Sequence, residues 1–272
     1  MGGYCEALVR KHDYDRYLAA LFAPEAARAD LFAIYAFNYE IARIGETVRN
    51  PMAGQIRFQW WHDALQEIYD GASARTESLK ALAAAIARNN LQKDLFEVML
   101  QGRELDLDPV PFHDLLDAES YADATSGSVM KLAARVLGAG DTLDGTAHDA
   151  GIAYAIAGIL RAIPFHAARS RLVLPAEEMT RAHVSGAEIL AGRMNSEIAE
   201  LISRISEVAW LHYGRVGRTS RRFMPAILPA ALAPAFLRRM NRPGFNPFRD
   251  STEIPAYRRQ WIIFRAVMRG QI

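Results

Sequence analysis

Cys5 is the single cysteine in a chain of 272 residues. One thiol cannot build an internal disulfide framework, and it suits a reducing compartment. No run approaches the roughly 18 consecutive apolar residues that a membrane span requires. The first residues, MGGYCEALVRKHDYDRY, hold no apolar core of the kind a secretory signal needs. The chain therefore reads as cytoplasmic and soluble, or at most peripherally attached to a membrane. Charge of either sign is not in excess, with 32 Lys and Arg against 31 Asp and Glu, so nothing global points to nucleic acid. HExxH, CxxC, a glycine-rich phosphate loop and a spaced Ser-His-Asp set are all missing. Three His-Asp neighbours occur, His12-Asp13, His62-Asp63 and His148-Asp149. Adjacent helix positions diverge by about 100°, so no such pair chelates an ion by itself.

What is present is helix. Apolar residues make up 51% of the chain, ample for a large core. Residues 195–213 place Ile198, Leu201, Ile202, Ile205, Val208, Ala209 and His212 at the i, i+3, i+4, i+7 spacing of an amphipathic helix. Asn50-Pro51 reads as an N-cap followed by a first-turn proline, Pro24-Glu25 opens another helix, and Asp108-Pro109 marks a boundary. The pattern predicts helices near 4–22, 25–46, 51–70, 76–88, 90–104, 111–138, 143–166, 186–193, 195–216, 222–240 and 254–268. Strand alternation is absent, although Arg171–Leu174 has the character of an extended segment. Glu104, Asp106 and Asp108 alternate in a short acidic run that reads as an exposed loop.

Composition shifts near Arg221. From there to Ile272 ten Arg meet only two acids, Asp250 and Glu253, an excess of eight that leaves the remainder seven negative. Pro225, Pro229, Pro234, Pro243 and Pro247 break the helical pattern in the same stretch, so it reads as the most loosely packed part of the chain. The expected organisation is one all-α domain: a helical part over 1–220, and a basic Pro/Arg-rich helical extension of it over 221–272. A basic end mixed with Phe, Trp and Pro suits an acidic membrane surface or an acidic partner.

Two stretches carry the functional signal. Residues 28–47, RADLFAIYAFNYEIARIGET, and residues 149–175, DAGIAYAIAGILRAIPFHAARSRLVLP, resemble the two signatures of the squalene/phytoene synthase family. Residues 57–65, RFQWWHDAL, and 121–130, YADATSGSVM, resemble the helices that follow the first signature and precede the second. The resemblance implies an isoprenoid-synthase-type helical bundle around a central cavity. In that family two Asp-x-x-x-Asp clusters face each other and hold Mg²⁺ on substrate diphosphates; carboxylates at i and i+4 share a helix face and can serve one ion. Here the four aspartate positions are Ala42, Glu46, Ala162 and His166. Arg43 adds a positive charge beside the first cluster, and imidazole nitrogen is a poor match for Mg²⁺.

One branch of the family fits these substitutions better than the synthases do. The chain resembles the phytoene-synthase-like assembly factors of respiratory complex I, through Ala36-Phe37-Asn38-Tyr39-Glu40-Ile41-Ala42 and Arg161-Ala162-Ile163-Pro164-Phe165-His166. This implies a non-catalytic protein with no cofactor and no bound metal. Its partners would be subunits or assembly intermediates of a membrane respiratory complex, reached at the inner face of the membrane through residues 221–272. Two alternatives stay open: a prenyl-diphosphate transferase with a degenerate Mg²⁺ site, and a protein that binds a prenyl, lipid or quinone tail. For the last, Tyr35, Asn38, Tyr154, Phe165 and the small residues 151–158 would line a tunnel whose basic mouth is Arg161, Arg169 and Arg171. Arg169 and Arg171 have a second reading, as surface partners of Glu177 and Glu178.

Overall fold

The structure, a computed structural model, describes residues 3–48, 50–108, 110 and 112–272. Among them the chain is all helix and turn. The elements run α1 (Tyr4–His12), α2 (Tyr14–Leu21), α3 (Glu25–Ala42), α4 (Ile44–Thr47), α5 (Pro51–Tyr69), α6 (Glu77–Asn89) and α7 (Lys93–Glu104). A 3₁₀ turn follows over Leu105–Leu107, then α8 (Leu115–Ala122), a π segment over Asp123–Gly127, α9 (Ser128–Val136) and α10 (Asp144–Ala167). The rest comprises α11 (Ala176–Arg181), α12 (Gly186–Leu190), α13 (Ser196–Arg215), α14 (Met224–Ile227), a 3₁₀ turn over Leu228–Leu232, α15 (Ala233–Met240) and α16 (Ala256–Arg269).

Local chemistry explains where the helices start and break. The Asn50 side chain accepts the Met52 amide at 2.9 Å with Pro51 in the first turn, and Asn195 accepts the Ile198 amide at 2.8 Å. The helix expected over 4–22 divides at Asp13, whose carboxylate caps the Arg16 amide and so restarts the helix as α2. The start expected at residue 90 moves to Lys93, because Asn90 adopts a left-handed conformation (φ 48°) that closes α6. Residues 111–138 form three pieces rather than one, beginning at Leu115. Pro109, half of an expected boundary, lies outside the described residues. Arg171–Leu174 forms no strand, and α11, absent from the sequence expectation, occupies six residues after Pro175.

Helix α10 is the centre of the bundle. Its Ala147 and Ala150 join the core shared by α1, α3, α5, α6, α7 and α9, while Ile152, Ile156, Leu160 and Ile163 join that shared by α8, α13, α15 and α16. A side chain on Gly151 would meet the Gly127 Cα at 2.4 Å, so this glycine lets α10 lie directly against the π segment. Each fully buried Ile or Leu contributes about 1.5–3 kcal/mol, and α10 holds four such residues in the second core alone. The expectation that no segment reaches span length needs correcting: α10 is 24 residues long with mean hydropathy 1.3 over its most apolar window. It is a core helix, long and apolar because neighbours cover it.

The C-terminal stretch is also packed. Pro225, Pro229 and Pro234 each stand in the first turn of a new short helix, where proline lacks no needed N–H. Met224, Leu228, Leu232, Phe236 and Leu237 are buried against α10 and α13. The prolines thus segment this region without loosening it.

Candidate functional site

The two signature stretches form the C-terminal parts of α3 and α10, together with α4. On α10 the four-residue spacing puts Tyr154, Gly158, Ala162 and His166 on one face; on α3 and α4 the corresponding row is Tyr35, Asn38, Ala42 and Glu46. A side chain built at Gly158 meets nothing within 4 Å, so there is room beside that face.

Helix α2 inserts charge between the rows. Asp15 and Arg16 are both buried. Asp15 accepts the Tyr154 hydroxyl at 3.2 Å and the Arg259 guanidinium at 3.1 Å. Arg16 donates to Asp13 at 2.8 Å and to the Ser126 hydroxyl at 3.3 Å, and lies 5.2 Å from the centre of the Tyr154 ring. Burial opposes the Arg16 charge, but Asp13 and Tyr154 outweigh it and hold the guanidinium firmly protonated. Burial likewise pushes the Tyr35 and Tyr154 hydroxyls up, so both stay neutral.

At the mouth the central residue is Asp106. Far from being an exposed loop residue, it has a side chain 16% exposed and packed against the first signature. A side chain on Gly45 would come to 2.8 Å from the Asp106 Cβ, and one on Gly54 to 2.3 Å from Leu107, so two glycines admit the 3₁₀ turn. Asp106 accepts the Tyr121 hydroxyl at 2.9 Å and Arg103 at 3.3 Å, with Arg171 at 3.9 Å; Arg103 also donates to the Tyr121 oxygen at 2.6 Å. Its neighbours in the acidic run differ. Glu104 pairs with His62 at 3.0 Å, and the Asp108 carbonyl accepts Arg171 at 3.4 Å.

Around this cluster sit the two surviving polar motif positions. The His166 pKa is pushed down to about 4 by burial and by Arg171, with Asp106 opposing, so the ring is neutral at physiological pH. Among the described residues its buried Nδ1 has no partner. The Glu46 carboxyl is pushed up, foremost by the partial burial it gains beside the Asp106 cluster although the residue still reaches solvent; Arg103 opposes this and Asp106 adds to it. As an Mg²⁺ site the set does not fit. Hard cations take several free oxygen ligands; here one motif carboxylate survives, Asp106 is committed to Arg103 and Tyr121, and four arginines stand close by.

The residues expected to line a tunnel and its mouth divide into those that converge and those that do not. Tyr35 and Asn38 are buried, and among the described residues the Tyr35 hydroxyl and Asn38 Oδ1 have no partner. Tyr154 faces the same interior. Phe165 turns to the surface, 38% exposed, with the Arg169 guanidinium 3.6 Å over its ring. Arg171 faces Asp106, whereas Arg161 runs the other way, 4.0 Å over the Phe236 ring and 3.4 Å from Glu253. Arg169 and Arg171 make no pair with Glu177 or Glu178 among the described residues; Arg181 and Arg204 do. Asp15, Arg16, Arg103 and Asp106 were missed from sequence. Asp13-Tyr14-Asp15-Arg16-Tyr17-Leu18 is half charged and carries no local sign of burial.

A second polar cluster lies at the other end of α10. His212, buried on α13, meets Asp149 at 2.6 Å through Nδ1 and Glu119 at 3.1 Å through Nε2; His148 meets Asp123 at 3.1 Å, and Lys131 meets Asp123 at 2.9 Å. Ligand-type atoms of His148, Asp149 and His212 lie within 4.8 Å of one another. His148-Asp149, unable to chelate alone, is thus completed by a third residue, though these atoms already pair with one another or with neighbours. The arrangement ties α8, α10 and α13 together.

The human protein named NADH dehydrogenase (ubiquinone) complex I, assembly factor 6, is 29% identical over 255 residues, covering 92% of this chain and 77% of its own. Phytoene synthase of Thermus thermophilus is 26% identical over 273 residues, covering 96% and 90%. A crystal structure of a dehydrosqualene synthase in complex with ligand superposes with a TM-score of 0.85 at 20% identity, over 98% of this chain and 94% of the other, which establishes the fold. A family model described as squalene/phytoene synthase matches residues 9–261, and the chain belongs to that family.

Proposed function

We propose that this protein is a non-catalytic member of its family that acts as an assembly factor for respiratory complex I, working at the cytoplasmic face of the membrane. The observation that carries the reading is the loss of three motif carboxylates beside a cluster in which Asp106 is already engaged by Arg103 and Tyr121. Ala42, Ala162 and a neutral His166 occupy three of the four aspartate positions, and Asp106 meets the arginines of the mouth from within. Ionising an allylic diphosphate needs its leaving charge neutralised by metal or free cations. With one motif carboxylate left and Asp106 already engaged by Arg103 and Tyr121, this site lacks the free oxygen ligands to hold that metal. The likeness to the human assembly factor supports the choice of client.

A deletion strain that loses complex I activity while other respiratory activities persist, and regains it with the wild-type gene, is the expected result. In parallel, the purified chain with farnesyl or geranylgeranyl diphosphate and Mg²⁺ releases no diphosphate. A variant restoring aspartate (A42D/E46D/A162D/H166D) is the control. Wild-type release at or above the variant's rate overturns the non-catalytic reading.

One observation favours an additional ligand role. The room beside Gly158 and the partnerless polar atoms of Tyr35 and Asn38 suit a molecule with an apolar tail and a small polar head. Native mass spectrometry of protein purified from cells, with and without solvent extraction, would detect such a passenger; its consistent absence removes this role.

A further inference from the structure

The outer face of α16 has no counterpart in the site just described. Tyr257, Trp261, Phe264 and Met268 are 73, 57, 45 and 57% exposed. At about 100° per residue these four positions fall within roughly 60° of one another, a single apolar row along the helix. Trp261 and Phe264 stack, with ring centres 5.9 Å apart. The opposite face, with Ile263 and Ala266, is buried, so the row belongs to a helix firmly seated on the domain.

Beside the aromatic row runs a second one, of arginine. Arg258, Arg265 and Arg269 share a neighbouring strip of α16, and the helix contains no acidic residue. Arg265 and Arg269 face Arg238 of α15 across a groove of about 400 Å³ that Pro234 and Ile262 help to line. Among the described residues none of these four arginines forms an ion pair. Arg259, on the inner face of the same helix, pairs with both Asp15 and Glu253. The charges the fold needs are met inside; those on the outer face are left for something else.

Resting on the membrane-proximal reading above, we infer that this face binds an anionic phospholipid bilayer. The aromatic row would enter the boundary between headgroups and acyl chains, and the arginine row would lie at phosphate depth. Tyr and Trp favour that boundary because each joins an apolar ring to a polar group. Arginine donates in a fork that fits phosphate oxygens. A convex helical face with parallel apolar and cationic rows matches a fluid planar surface, which adapts to it. An acidic protein segment is the competing occupant, and the test separates the two.

The full-length chain is sedimented with vesicles of phosphatidylcholine alone or mixed with phosphatidylglycerol. Binding is expected to the mixed vesicles, weakened by salt. R258A/R265A/R269A should bind about 100-fold more weakly, since each cation near an anionic surface contributes roughly a fivefold factor. W261A/F264A should lose about tenfold even at low salt. Circular dichroism and thermal melting confirm that both variants fold. Indifference of the wild type to the mixed vesicles, equal binding to phosphatidylcholine alone, or full binding by the arginine variant overturns the inference. So does capture of a complex I intermediate through these arginines in detergent without any vesicle binding. Vesicle binding decides this inference and rescue of the deletion strain decides the assembly reading, so either can fail alone.

Discussion

The mouth of the inherited site and the outer face of α16 are both rich in arginine, and they treat it in opposite ways. At the mouth Arg103 and Arg171 converge on Asp106, and Arg16 is held by Asp13. On α16 Arg258, Arg265 and Arg269 form no ion pair among the described residues, and the aromatic side chains between them are exposed. A buried cation must be paired because desolvating it alone is costly. An exposed one costs little to leave unpaired, so it can be kept for an outside partner. The domain therefore holds Arg103 and Arg16 within its own polar network and leaves the arginines of α16 to solvent.

Removing the internal acid should break this contrast most visibly. Asp106→Ala leaves Arg103 and Tyr121 without their shared acceptor, and a loss of about 3 kcal/mol in urea denaturation is expected. A loss under about 0.5 kcal/mol would mean that the mouth arginines do not depend on Asp106. Next in size is His212→Ala, which strands Asp149 and Glu119 at the far end of α10. About 1–3 kcal/mol of destabilisation is expected by the same measurement.

The pH dependence of stability sharpens the picture of the mouth. His166 titrates at about 4 in the folded chain against an ordinary value of 6.5, so folding favours its neutral form. Between those values the unfolded chain binds more protons, and stability falls as pH drops from about 6.5 towards 4. Because the ring is only partly buried, the contribution is on the order of 1–2 kcal/mol. His166→Gln should flatten that part of the profile in melts taken from pH 4 to 7. An unchanged slope would place the titration elsewhere.

The smallest effect belongs to α16. R258A/R265A/R269A and W261A/F264A should each melt within about 0.5 kcal/mol of wild type, since solvent already surrounds these groups. A large loss of stability would show that the face is part of the fold.

Much of this was legible from residues alone. The apolar spacing of 195–213 foretold the buried Ile198, Leu201, Ile202, Ile205, Ala209 and His212 of α13, because helical period is written locally; it missed the buried Ser206 and included the half-buried Val208. The loss of carboxylates at Ala42, Ala162 and His166 was equally plain. Asp106 was not: it reads as one of three alternating acids, and only Gly45 and Gly54, some 50–60 residues away, give it a place at the mouth. Arg16 and Asp15 were hidden for the same reason, since their partners Ser126, Tyr154 and Arg259 lie far along the chain.

By itself the sequence determined the all-helical class, most of the buried face of α13 and the loss of aspartate at three of the four motif positions, all of which follow from residue type at a fixed local spacing. Tertiary structure alone decided which charges are spent on one another and which are kept for the outside. Pairing depends on distances between side chains that only the folded backbone brings within reach.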